Sequence, residues 1–102
     1  MAIHKTARFQ VKPQAVDQCK QAIEEFVRYV KANEPGTQLY LSLQDEEDST
    51  RFLHYFIFDD EAAENIHSTS PGVQRFTAVL YPELADGKVA FTDYTLLATT
   101  AS

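Results

Sequence analysis

The rhythm of apolar and polar positions changes repeatedly along this chain. Residues 3–11 alternate, with Ile3, Ala7, Phe9 and Val11 set against His4, Thr6, Arg8 and Gln10. That period of two predicts a half-buried strand. From Pro13, which sits where a helix can begin without losing a needed N–H, the period lengthens. Val16, Cys19, Ile23, Phe26, Val27 and Val30 recur at three- and four-residue steps, the stripe of a helix of about five turns. Asn33-Glu34-Pro35-Gly36 stops it. Residues 37–44 and 51–58 read as strands joined by an acidic hairpin loop, Asp45 to Ser49. Asp59-Asp60 can cap a short helix with Ala62, Ala63 and Ile66 inward. Ser70-Pro71 restarts it, and Val73, Phe76, Val79 and Leu80 form its stripe. Tyr81-Pro82 closes that segment, Asp86-Gly87 turns the chain, and residues 88–97 form a last strand.

Strand, long helix, strand, strand, broken helix, strand is the split β-α-β order of a ferredoxin-like α+β fold. It places an antiparallel sheet beneath helices on one face. Residues 51–58 are nevertheless apolar on both faces: Phe52, Phe56 and Phe58 on one, Leu53, Tyr55 and Ile57 on the other. Residues 37–44 repeat this, with Leu39, Leu41 and Leu43 opposite Tyr40. The helices cover a single face, so the other asks for a cover, most economically a second copy of the sheet in a two-fold homodimer.

Composition narrows the class. A chain of 102 residues holds one domain, with a core spanning about residues 3–97. Its hydrophobic fraction of 44% excludes disorder. A net charge of -6 disfavours nucleic acid and anionic membrane surfaces as partners. The single cysteine, Cys19, forbids an internal disulfide, and with three scattered histidines it builds no zinc site, so no metal is expected. No apolar run approaches a membrane span, and no signal peptide opens the chain, so a cytoplasmic location is expected.

Several segments resemble the antibiotic biosynthesis monooxygenase family. Glu34-Pro35-Gly36-Thr37 followed by Tyr40 is similar to its second-strand entry. Asp59-Asp60-Glu61-Ala62-Ala63, then His67, Ser70-Pro71 and Phe76, resemble its broken-helix signature, and Asp86-Gly87-Lys88-Val89 the turn before its last strand. The resemblance spans roughly residues 3–97. It implies a dimeric α+β barrel, a pocket between sheet and helices in each protomer, and oxidation of quinol- or anthrone-like aromatics by dioxygen with no cofactor. The chain departs from the pattern at Gly72-Val73, where many members carry a second histidine, and at Phe56, where many carry glutamate. His67 and Thr77 stand where the haem-degrading branch needs Trp and His, and the chain has no Trp, which speaks against haem degradation.

The resemblance brings His67 forward as the catalytic base, since imidazole takes a proton near neutral pH and a deprotonated phenol or anthrone can reduce dioxygen. The bland alternative is a helix-surface or capping histidine. Tyr40, His54, Asn65 and Phe76 are the expected substrate-binding residues. Tyr40 offers a hydroxyl to a substrate oxygen, or simply packs. His54, within an apolar run, either finds a partner in the core or interface or lines a cavity. Asn65 could orient a substrate oxygen or lie exposed, and Phe76 walls a pocket or fills the core. His4 is expected in solvent near the terminus, Cys19 as an inert part of the first helix's stripe. Besides the monooxygenase, the residues allow a non-catalytic or stress-response protein binding a small apolar ligand, and a structural dimer packed shut by phenylalanines.

Overall fold

A computed structural model describes residues 1–101. Four strands, β1 (Ile3–Gln10), β2 (Thr37–Gln44), β3 (Arg51–Phe58) and β4 (Ala90–Tyr94), form one antiparallel sheet in the order β2-β3-β1-β4. Three helices, α1 (Val16–Asn33), α2 (Glu61–Ser68) and α3 (Pro71–Leu80), cover one face. This is the ferredoxin-like α+β arrangement expected from the order of patterns.

Local chemistry sets the joints. The Asp60 carboxylate accepts the Ala63 N–H at 2.9 Å, and the Ser70 hydroxyl accepts the Val73 N–H at 3.0 Å. Each cap satisfies an orphan donor of its helix, so the broken helix is two properly capped helices. Pro13 opens a single 3-10 turn, Pro13–Ala15, ahead of α1 rather than α1 itself. Gly72 is required by contact: a Cβ there would lie 2.2 Å from the Tyr29 ring, so α3 packs on α1 only without one.

The period-two faces sort as the register demands. Phe52, His54, Phe56 and Phe58 of β3 face the helices, beside Phe9 and Ala7 of β1 and Tyr40 of β2. Cys19, Ile23, Phe26 and Val30 of α1 and Phe76 and Leu80 of α3 close the core from above. The opposite face presents Leu41, Leu53, Tyr55 and Ile57 half-buried, with Leu39, Leu43 and Tyr94 exposed.

Four expectations need correction. The last strand is shorter than residues 88–97. β4 is an edge strand bonded only to β1, and its final pair, Tyr94 with His4, leaves almost no β1 beyond it. β1 likewise ends at Gln10, Val11 making an isolated bridge to Leu84. On α2, Ala62 and Ile66 face solvent while Ala63 and His67 face inward. His4 is buried: it lies on the open sheet face with Nδ1 2.7 Å from the Tyr55 hydroxyl.

Candidate active site

A cavity of about 340 Å³ opens between the sheet and the helices. That volume is at the lower end of ordinary small-molecule sites. Its existence disfavours an interior packed shut by phenylalanines. Phe9, Phe26, Phe56, Phe58 and Phe76 supply most of its wall. Their arrangement is ordered: Phe26 stacks on Phe76 at 4.8 Å between centroids, and Tyr40 on Phe56 at 4.9 Å. Such a slot suits a flat aromatic guest.

Three polar clusters that each join separate elements interrupt the aromatic wall. The first joins α2 to the turn before β2. His67 Nδ1 lies 2.8 Å from Glu34 Oε1, and the same oxygen accepts the Thr37 hydroxyl at 2.9 Å. Both members are buried, Glu34 to 4% exposure. A carboxylate can only accept, so with Glu34 ionised the imidazole proton is held on Nδ1 and Nε2 is left bare. That is the tautomer of a general base. Glu34 Oε2 is buried without a partner, so the carboxylate is only half satisfied by protein.

A glycine sets this approach. A Cβ on Gly36 would fall 2.7 Å from the Ala63 Cβ. Gly36 and Ala63 therefore form one rung, and Glu34 and His67 a second, between the same turn and the same helix. Residues 63 and 67 are one helical turn apart, which is why both face this turn.

The second polar group joins neighbouring strands. The Tyr40 hydroxyl lies 2.7 Å from His54 Nδ1, and His54 Nε2 has no partner. Burial lowers the His54 pKa to about 4, so its ring is neutral near pH 7. Burial also raises the Tyr40 pKa, and the nearby Glu34 charge adds to that, so the phenol keeps its proton. The third group is at the rim. Lys5 Nζ meets Glu64 Oε2 at 2.6 Å and Asp93 Oδ1 at 3.3 Å. The hydrogen bond to Glu64 is the main cause that raises the Lys5 pKa, against its partial burial.

Of the residues singled out in the sequence, His67, Tyr40, His54 and Phe76 all line this one cavity. Asn65 does not. It lies on the exposed face of α2, where its carbonyl accepts the Thr69 hydroxyl at 2.8 Å. Phe91 lines the mouth yet is 60% exposed. Cys19 is buried in the α1 stripe, and burial raises its thiol pKa, in keeping with an inert role.

Glu34 was legible only as a helix stop. One signal was available: an acidic residue at a helix C-terminus opposes the helix dipole, which marks it as placed for another reason. Lys5 and Glu64, from β1 and α2, carry no sequence signal of their meeting.

The sequence profile of the antibiotic biosynthesis monooxygenase family matches residues 2–79. No curated protein matches the chain in sequence. Solved structures do match it in shape. A candidate antibiotic biosynthesis monooxygenase from Bacteroides thetaiotaomicron superposes with a TM-score of 0.90 at 17% identity, over 99% of this chain and 94% of its own. One from Caulobacter crescentus gives 0.87 at 18% identity, over 95% and 91%. Rv0793 from Mycobacterium tuberculosis gives 0.87 at 18% identity, over 99% and 100%. At such identities the likeness concerns the fold.

Proposed function

Because the chain belongs to the antibiotic biosynthesis monooxygenase family, we propose that it uses dioxygen to oxidise a quinol- or anthrone-like aromatic held between sheet and helices. The observation that carries this is His67 on the wall of an aromatic slot, its Nδ1 bonded to the buried Glu34 behind it. His67 Nε2 takes the proton of a ring hydroxyl, and the resulting anion is electron-rich enough to pass one electron to dioxygen. The two radicals combine at carbon to give a peroxide. The imidazolium returns its proton to the peroxide, and the carbon-bound proton then leaves with the outer hydroxide as one water, so a CH2 becomes C=O and the second oxygen atom departs in that water. Dioxygen is the only co-reactant this scheme needs, because the substrate anion is itself the reductant. Glu34 holds the imidazole in the base tautomer and stabilises it once protonated. Phe26 and Phe76 align the ring.

Oxygen uptake with a panel of hydroquinones and anthrones, with and without chelator, tests the reading. Wild type is expected to consume dioxygen and His67→Ala to lose most of the rate. Equal rates for both proteins on every substrate would remove His67 from the chemistry. The departures at Phe56 and Gly72-Val73 favour a second reading, a non-catalytic carrier of a small apolar ligand. Native mass spectrometry showing a retained ligand with no oxygen uptake would select it.

The protein is further proposed to work as a homodimer joined through the open sheet face. The apolar residues on that face, with Leu43 54% exposed, support this. Light scattering should return twice 11.5 kDa, and a monomer at micromolar concentration would overturn it. No described helix is long and apolar enough to cross a membrane.

A further inference from the structure

We propose that Tyr40 and His54 form an oxygen-holding subsite, separate from His67, that donates one hydrogen bond to a carbonyl or oxyanion of the bound ligand. It rests on the cavity being the ligand site and deepens the reading above. The argument is a count of protons. A neutral imidazole carries one N–H, and a phenol one O–H, so the pair owns two donors. Their mutual bond at 2.7 Å uses one. If the phenol donates to Nδ1, the imidazole proton is on Nε2, which has no partner. If Nδ1–H donates to the phenol oxygen, the phenolic proton is unspent instead. Either tautomer leaves one donor free beside an aromatic slot, and a buried donor without an acceptor is a group waiting for one.

The other donors along the cavity are bonded or near solvent. Lys5 is held by Glu64 and Asp93, the Thr77 hydroxyl by the Val73 carbonyl at 2.9 Å, and the Ser68 hydroxyl by the Asn65 carbonyl at 3.3 Å, while Tyr81 is half exposed at the rim. The lowered pKa of His54 keeps the pair neutral, so it donates without competing with His67 for the substrate proton. The ligand class that follows is an aromatic with an oxygen remote from the one deprotonated.

Binding of α-tetralone and tetralin, which share a ring system and differ by one carbonyl, tests this without turnover. Each single variant keeps a donor: Tyr40→Phe leaves the imidazole N–H, and His54→Leu leaves the phenol. The single variants should therefore retain part of the preference for tetralone. In the double variant Tyr40→Phe with His54→Leu the tetralone-to-tetralin affinity ratio should fall roughly tenfold or more. Retained tetralin binding shows that the variant cavity is intact. An unchanged ratio overturns the proposal. Should the double variant lose tetralin binding, infrared difference spectra of wild type decide. The bound carbonyl stretch is expected below its position in alkane, and a band at the alkane position, or no tetralone binding, overturns the subsite. Oxygen uptake is scored separately, so the subsite can stand while the monooxygenase reading falls, and the reverse.

Discussion

His67 and His54 are both buried, both bonded through Nδ1 at under 3 Å, and both packed against the Tyr40 ring. They differ in the partner. His67 meets the Glu34 carboxyl group, which when ionised can only accept and so draws the imidazole proton to Nδ1. His54 meets a phenol, which can donate or accept, and nothing nearby offsets a charge on the ring. Burial then keeps it neutral. One cavity thus holds two imidazoles in different hydrogen-bond settings, and the partner of each sets what its ring can offer.

The largest expected effect tests that division. His67→Ala should lower oxygen uptake by about 10²–10⁴-fold, the usual contribution of positioned proton transfer. His54→Leu should cost far less in the same assay. Equal losses would erase the distinction between the two.

Acid stability separates them next. The His54 pKa of about 4 lies below its unfolded value of 6.5, so between those pH values the unfolded chain binds more protons. Stability present above pH 6.5 is therefore lost as pH falls towards 4. The contribution is about 3 kcal/mol. Urea midpoints for wild type should drop across that window, and His54→Leu should flatten the slope. An identical slope in both proteins would mean the ring is not held neutral by burial.

Glu34→Gln sharpens the comparison, since glutamine keeps an acceptor but not the charge. Turnover is expected to fall, by about a hundredfold at most given the scale of the whole proton-transfer term, with KM little changed. A rise in KM alone would assign Glu34 to binding. The smallest effect belongs to the rim. Lys5→Met breaks two partly exposed ion pairs and should change stability by less than about 1 kcal/mol in thermal melts.

The fold was largely legible because its signals are local. Alternation in residues 3–11 and 51–58, the Ser70-Pro71 cap and the α1 stripe each depend on a few neighbouring residues. The errors arose where a distant segment decides. Ile66 is more apolar than His67, yet α2 turns His67 inward because Glu34 waits on the turn before β2. β4 stops where β1 runs out, which composition cannot reveal. His4 is buried because Tyr55, two strand positions from Ile57, its register partner on β3, reaches its ring. The candidate site was half legible: the histidines, Tyr40 and Phe76 stand out as types, while Glu34 becomes a partner only once turn and helix meet.

The rung between Gly36 and Ala63 has a consequence for how this site can be tuned. It is a spacer of fixed thickness beside a hydrogen bond of 2.8 Å. Adding one methyl at residue 36 would lever the turn away from α2 and lengthen the neighbouring rung, with no change to any group that touches a proton. The length of that hydrogen bond is thereby governed from a position with no side chain at all, and variants that alter it are to be sought among the smallest residues of this seam rather than among its acids and histidines.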